Sequence, residues 1–298
     1  MTEFMEADFV GVTVDPAGVR HLPGTSIEIV RHPKFARAPD HALFDFDGTL
    51  SLIREGWPDI MVPLMVDVLV DTQTDESVPQ LEQVVRQFVA ELTGKQTIYQ
   101  MIRLVEEVTR RGGRPRDPQH YKQAYVDRLS AHIAARRTAL ERGQLAPEEL
   151  MVPDSLPLLQ ALRDRGVQLY LASGTDEADV REEVRLLQLA DFFGPRVHGA
   201  IADYKSFSKE KVIGQILREH QLQGERLLGF GDGFVEIQNV KSVGGTAVGV
   251  ASDEQGRSGK ADAWKRDRLL GAGADLLIPD YQEHQALLDF IWNAHATP

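Results

Sequence analysis

From residue 153 onward, short apolar runs alternate with stretches of helical periodicity, and this alternation constrains the fold more than any other feature. Leu156, Leu159 and Leu162 mark a helix, capped at Asp154 or Ser155 and closed by Gly166. Val167-Gln168-Leu169-Tyr170-Leu171-Ala172 follows as a strand, then a helix through Val180, Val184 and Leu187. Residues 196–201 read as a short strand, and a helix from about Ser208 carries Val212, Ile213, Ile216 and Leu217. Leu227-Leu228-Gly229-Phe230 is a further strand, and residues 246–250 and 274–278 give two more with helices after each. Strands alternating with helices predict an α/β fold, a Rossmann-like parallel sheet covered by helices on both faces.

One strand of this sheet lies far upstream. His41-Ala42-Leu43-Phe44 is apolar and bounded by polar residues. Between it and residue 153 the pattern is helical throughout, over roughly 55–140. Leu81, Val84, Val85, Phe88, Val89 and Leu92 follow one helical face, and Ile98, Met101, Ile102, Val105 and Val108 another. Tyr121, Tyr125, Leu129 and Ile133 follow a third. Breaks at Gly94, at Gly112-Gly113 and from Gly143 to Pro147 divide an insertion of about four helices. Residues 1–40 carry two short strand patterns, 9–14 and 26–30, separated by Pro16 and Gly18; a hairpin at a sheet edge or flank is expected, with no chemistry.

In an open α/β sheet, ligands bind beyond the carboxyl ends of the strands. Three such ends are polar here. The first is Asp45-Phe46-Asp47-Gly48-Thr49: two carboxylates at i, i+2, with a glycine that lets the chain turn. One carboxylate of such a pair can attack while the other moves protons, and together they suit a hard, oxygen-liganded cation such as Mg²⁺. The second end is Ser173-Gly174-Thr175, whose hydroxyl and N–H groups near a helix start suit a phosphate oxygen. The third is Gly231-Asp232-Gly233, with Glu236 close behind. Asp-Gly is also ordinary turn chemistry and Ser-Gly-Thr an ordinary cap, so each stretch alone is weak. Lys209 opens a helix, where the dipole disfavours a cation, with Lys205 and Lys211 close by.

The net charge of −12, without a strongly basic tract, disfavours a nucleic-acid partner. With no cysteine, disulfides, thiolate metal sites and thiol nucleophiles are excluded, and a cytoplasmic location is expected. The acidic start, Met1 to Glu6, predicts no secretory leader, and no apolar run is long enough for a membrane span.

Taken together and in this order, Asp45-Phe46-Asp47-Gly48-Thr49, Ser173, Lys209 and Gly231-Asp232 with Glu236 resemble the motifs of the haloacid dehalogenase-like superfamily, phosphatase branch, over roughly 41–290. The helical insertion resembles that superfamily's cap. The resemblance implies a core of 41–54 and 150–298, a cap domain of 55–149 and an N-terminal extension of 1–40. It implies Asp45 as the nucleophile that forms an aspartyl-phosphate and Asp47 as the acid/base. It implies Ser173 and the Gly174 N–H as phosphate ligands, with Lys209 neutralising charge; the Val212-Ile213 pair at family spacing selects it over Lys205 and Lys211. Mg²⁺ is implied on Asp45, the Asp47 carbonyl and Asp232, with Thr49 and Glu236 supporting. Glu236 stands where the family more often has Asp. Arg54, Glu55 and Lys95 are the candidates near the leaving group. The implied activity is Mg²⁺-dependent hydrolysis of a small phosphate ester. A phosphosugar mutase shares both aspartates and the cap, phosphonate hydrolysis needs a Schiff-base lysine from the cap, and a non-catalytic binding module has no need of all three aspartates.

Overall fold

The computed structural model describes residues 9, 11–13, 18–33, 38–201, 208–219 and 224–293. Its strands are β1 (Arg20–His21), β2 (Glu28–Ile29), β3 (His41–Phe44), β4 (Gln168–Asp176), β5 (Val197–Ala200), β6 (Leu227–Gly231), β7 (Thr246–Val250) and β8 (Leu276–Ile278). They form one mixed sheet in the order β1-β2-β8-β7-β6-β3-β4-β5. From β8 to β5 all pairings are parallel. These strands are near-continuous apolar runs because helices cover both faces; Phe44, Leu171, Phe230 and Val248 are all fully buried. On the core side, α5 (Ser155–Asp164), α6 (Glu177–Leu186), α7 (Ala190–Phe193), α8 (Lys209–Glu219), α9 (Phe234–Ser242), α10 (Ala263–Ala272) and α11 (His284–Asn293) supply the cover.

The parallel core of the sheet is extended at its β1–β2 edge by an antiparallel pair, the edge hairpin expected from residues 1–40. β2 runs antiparallel to β8, pairing Glu28 with Leu277, and β1 runs antiparallel to β2. Arg266 anchors the edge with two 2.7 Å bonds to the Glu28 carboxylate. The strand expected at 26–30 is thus β2. The one expected at 9–14 is not found: Phe9 and residues 11–13 are not in a strand, and Val10 and Val14 lie outside the described residues. The partner of β2 is β1, whose two exposed residues carry no alternation to read.

Between β3 and β4 come α1 (Pro58–Val70), α2 (Val78–Leu92), α3 (Thr97–Arg110) and α4 (Pro118–Glu141). Ser77 and Gln80 form a capping box at the start of α2, and the Asp117 side chain accepts from the Gln119 N–H at 2.8 Å to cap α4. Leu81, Val85 and Phe88 of α2, Met101 and Leu104 of α3, and Tyr125, Leu129 and Ile133 of α4 are buried in one shared core. None of the described helices is long and apolar enough to cross a membrane.

Register positions the site. Phe44 of β3 lies level with Leu171 of β4 and Phe230 of β6. Its ring stacks on Phe230 at 4.5 Å, which locks the two central strands together. Residues just beyond Phe44, Leu171 and Phe230 therefore emerge at one edge of the sheet.

Candidate active site

Asp45 follows the last residue of β3, and its N–H donates to the Phe230 carbonyl at 2.9 Å, so its backbone is held by the neighbouring strand. Phe46 points back into the core, fully buried. The chain then turns at Gly48, whose N–H donates to Ser51 O at 2.9 Å. Gly48 has φ +74°, and a Cβ there would lie 2.3 Å from the Asp232 carboxylate. Glycine is required twice over, by the backbone angle and by the approach of β6.

The two carboxylates of this turn have different neighbours. Lys209 Nζ lies 2.9 Å from Asp45 Oδ1 and also binds Glu236; all three side chains are buried. Asp47 instead accepts from the Thr175 hydroxyl at 2.8 Å, with the Ser173 hydroxyl at 3.4 Å and Arg54 Nε at 3.7 Å. Its Oδ1 is buried without a hydrogen-bond donor among the described residues. Asp232 accepts from the Thr49 hydroxyl at 3.4 Å, and its own N–H donates to that hydroxyl at 3.0 Å. Thr49 is fully buried, and Tyr281 fixes its carbonyl with a 2.9 Å bond.

The structure thus gathers Asp45, Asp47, Ser173, Gly174, Lys209 and Asp232 around one cavity of about 120 Å³. Lys211 is exposed, and Lys205 lies outside the described residues. Glu236 sits on Lys209. Lys95 also lines the cavity, buried, with its ammonium over the Tyr99 ring at 5.5 Å. The loop that carries Lys95 presses on the sheet edge: a Cβ on Gly174 would meet the Lys95 carbonyl at 3.2 Å. Arg54 reaches the cavity but spends its guanidinium on a bidentate pair with Glu183, at 2.8 and 3.1 Å. Glu55 is engaged by Arg136 at 2.9 Å.

One expectation is corrected. Ser173-Gly174-Thr175 was expected to end its strand and face a helix start; β4 instead runs on to Asp176, and α6 begins at Glu177. The extension pairs Asp176 with Ala200 of β5 across a register shift. Ser173 and Thr175 thus stand on one side of an extended strand, both turned to Asp47. Glu183 and the pair Lys265–Glu254 are site neighbours that the sequence reading did not single out, and Thr175, read there only as part of a phosphate-binding stretch, bonds Asp47. Glu254 follows the end of β7, so the rule that ligands collect beyond strand ends could have found it.

Burial raises the Asp45 carboxyl to about 6; Lys209 opposes the shift, and Asp232 and Asp47 add to it. Burial likewise raises Asp47 to about 6, against Arg54 and Thr175 and with Glu183 and Asp232. Seven carboxyl and four cationic side chains of the described residues line the cavity. Its donors are all oxygens, as a hard cation prefers. Among the described residues no three acidic or histidine side chains enclose an ion by themselves. Two carboxylates, Asp45 and Asp232, with the Asp47 carbonyl are oxygen donors of the kind that would suit Mg²⁺.

The raised values set a sign for stability. The folded site keeps protons that the unfolded chain, with ordinary values of 3.8, has released. Stability contributed by these groups is present below that value and is lost as pH rises to about 6. In chelator, wild-type protein is expected to lose stability relative to an Asp45→Asn, Asp47→Asn double variant across this window, read by urea unfolding at each pH. A difference that does not change with pH would sink the assignment.

The comparisons with known proteins bear on the fold and the family. None of the curated proteins matches the sequence significantly. Among solved structures, a predicted phosphatase from Clostridium acetobutylicum is 17% identical, with a TM-score of 0.53 over 85% of this chain and 99% of that one. A β-phosphoglucomutase from Clostridium difficile is 12% identical, with a TM-score of 0.55 over 87% and 100%. CbbY from Rhodobacter sphaeroides, solved in complex with phosphate, is 18% identical, with a TM-score of 0.52 over 82% and 96%. At such identities these likenesses speak for the fold. A family model described as haloacid dehalogenase-like hydrolase matches residues 39–244, most of the chain, and the protein belongs to the haloacid dehalogenase-like hydrolases.

Proposed function

We propose that this hydrolase is a Mg²⁺-dependent phosphatase acting on a small phosphorylated metabolite through an aspartyl-phosphate at Asp45, with α1–α4 as its cap. The observation that carries the reading is the division of labour between two carboxylates two residues apart. Asp45 rests on a buried lysine, Lys209. Asp47 rests on hydroxyls and, among the described residues, keeps one oxygen free of hydrogen-bond donors.

In the first step an Asp45 oxygen attacks phosphorus and the ester P–O bond breaks, while Asp47 gives its proton to the leaving oxygen. In the second, water attacks the phosphoryl group, Asp47 takes the water proton, and the P–O bond to Asp45 breaks. A value near 6 suits Asp47 to both directions of transfer near neutral pH. Ser173 and the Gly174 N–H would bind the phosphoryl oxygens, and Lys209 would offset their charge against Asp45. Mg²⁺, held by Asp45, Asp232 and the Asp47 carbonyl, would supply further neutralisation of the phosphate. The small cavity, walled by Trp57, Met61 and Tyr125 as well as Lys95 and Lys122, supports a compact leaving group.

The test is phosphate release from a panel of phosphate esters by purified protein. Release is expected with Mg²⁺, none in EDTA, and inhibition by Ca²⁺, whose looser coordination would tie up the attacking carboxylate. Equal turnover in EDTA removes the metal from the reading. An isomeric sugar phosphate formed without free phosphate, followed by NMR, would make the enzyme a mutase.

A further inference from the structure

The most fully bonded cation beside the site is one that the proposed reaction leaves unused. Lys265 is carried by α10, whose first turn is fixed by the Asp262 side chain accepting from the Lys265 N–H at 2.8 Å. Its ammonium lies 2.8 Å from Asp232 Oδ2, 2.6 Å from Glu254 Oε1 and 3.0 Å from Ser252 Oγ. All three of its N–H donors are used. Ser252 passes the connection on, donating to the Gly48 carbonyl at 2.6 Å in the turn between Asp47 and Thr49. Side-chain exposure is only 13% for both Lys265 and Asp232, so solvent screens this contact weakly.

We infer that Lys265, held by Glu254, is a positioning residue that keeps one oxygen of Asp232 away from the metal, so that Asp232 offers a single oxygen and the site prefers Mg²⁺ to Ca²⁺. The inference rests on the metal site proposed above. Mg²⁺ demands a compact octahedron and takes carboxylates through one oxygen; Ca²⁺ accepts more ligands and bidentate carboxylates. With Oδ2 tied to an ammonium, Asp232 has Oδ1 to give, and among the described residues that oxygen meets only the 3.4 Å Thr49 contact. The ammonium also repels any cation that crowds into this side. Removing it frees Oδ2 and leaves Glu254 as a further carboxylate for a larger ion. Removing the Glu254 charge instead leaves the lysine less neutralised, and the metal more strongly repelled.

The two variants should therefore act in opposite directions, which loss of packing alone does not produce. The experiment measures Mg²⁺ and Ca²⁺ binding by calorimetry, without substrate, on wild-type protein and the variants Asp232→Asn, Lys265→Met and Glu254→Gln. Lys265→Met is expected to tighten both ions and Ca²⁺ more, shifting the Mg²⁺/Ca²⁺ affinity ratio toward Ca²⁺ by about tenfold. Glu254→Gln is expected to weaken both ions. If Asp232→Asn loses metal binding but Lys265→Met leaves the ratio unchanged, or if both variants weaken binding, the role of Lys265 is refuted and the metal site stands. If wild-type protein binds neither ion, or Asp232→Asn binds as wild type does, the metal site itself falls and this inference with it. Should Lys265→Met fail to fold, Glu254→Gln decides: unchanged or tighter binding overturns the proposal.

Discussion

Asp45→Asn is expected to lower turnover by at least about a thousandfold while leaving the fold and its stability intact. The substitution is isosteric, and the backbone at this position is held by the bond from the Asp45 N–H to Phe230 O, which does not involve the side chain. Phe44 and Phe46 on either side stay in the core. The variant loses the oxygen nucleophile and one negative charge from a cluster in which Asp232 and Asp47 already push the Asp45 carboxyl upward. Lys209 keeps its pair with Glu236, so no buried charge is left alone. In the absence of metal the melting temperature should therefore be equal to that of wild type or higher, as expected where an active site holds like charges together for function. Steady-state rates with the best ester and thermal melts in chelator check the two halves. A variant that keeps a tenth of wild-type activity would remove Asp45 as the nucleophile.

Much of this site was legible because sheet register does the gathering. Asp45, Ser173 and Asp232 were each read as lying just past an apolar run, and parallel strands with level ends must bring such residues together. Lys209 was legible through its spacing to Val212 and Ile213, which lie buried on the same helix. What escaped the sequence is carried by long side chains that cross between elements. Glu183 lies among Glu177, Asp179 and Glu182 in what reads as the solvated face of α6, and is fully buried only because Arg54 descends on it from the loop before α1. Lys265 likewise looks like one more charge in a polar helix start. Helix α1 falls inside the helical stretch read over 55–140, but Ile60 to Val70 is apolar nearly all round and interrupted by Pro63, so no face stands out by which to bound it. The extension of β4 through Ser173-Gly174-Thr175 was hidden because Gly174 and two hydroxyl residues read as a turn, whereas Ala172 and Asp176 on either side both pair with β5 and keep the stretch in the strand.

Asp47→Asn should separate the two aspartates by their dependence on the leaving group. The variant keeps the main-chain carbonyl proposed for the metal, and its amide oxygen can still accept from Thr175, which bonds the carboxylate at 2.8 Å. What it loses is a proton donor and acceptor. An alkyl phosphate expels an alkoxide, which needs a proton as the bond breaks, and such general acid help is worth roughly 10²–10⁴ in rate. A nitrophenolate leaves with little help. Phosphorylation of Asp45 should therefore slow by about that factor with a sugar phosphate and far less with p-nitrophenyl phosphate. Dephosphorylation needs an activated water whichever ester was used, so it should be slow for both. With the activated ester the phosphorylated enzyme then accumulates, visible as a burst of nitrophenol followed by a slow steady state. Single-turnover measurements with both esters decide the matter. Equal slowing of the first step for both would mean that Asp47 serves the metal or the local structure, through its contacts with Thr175 and Arg54, and that the proton is carried by another group.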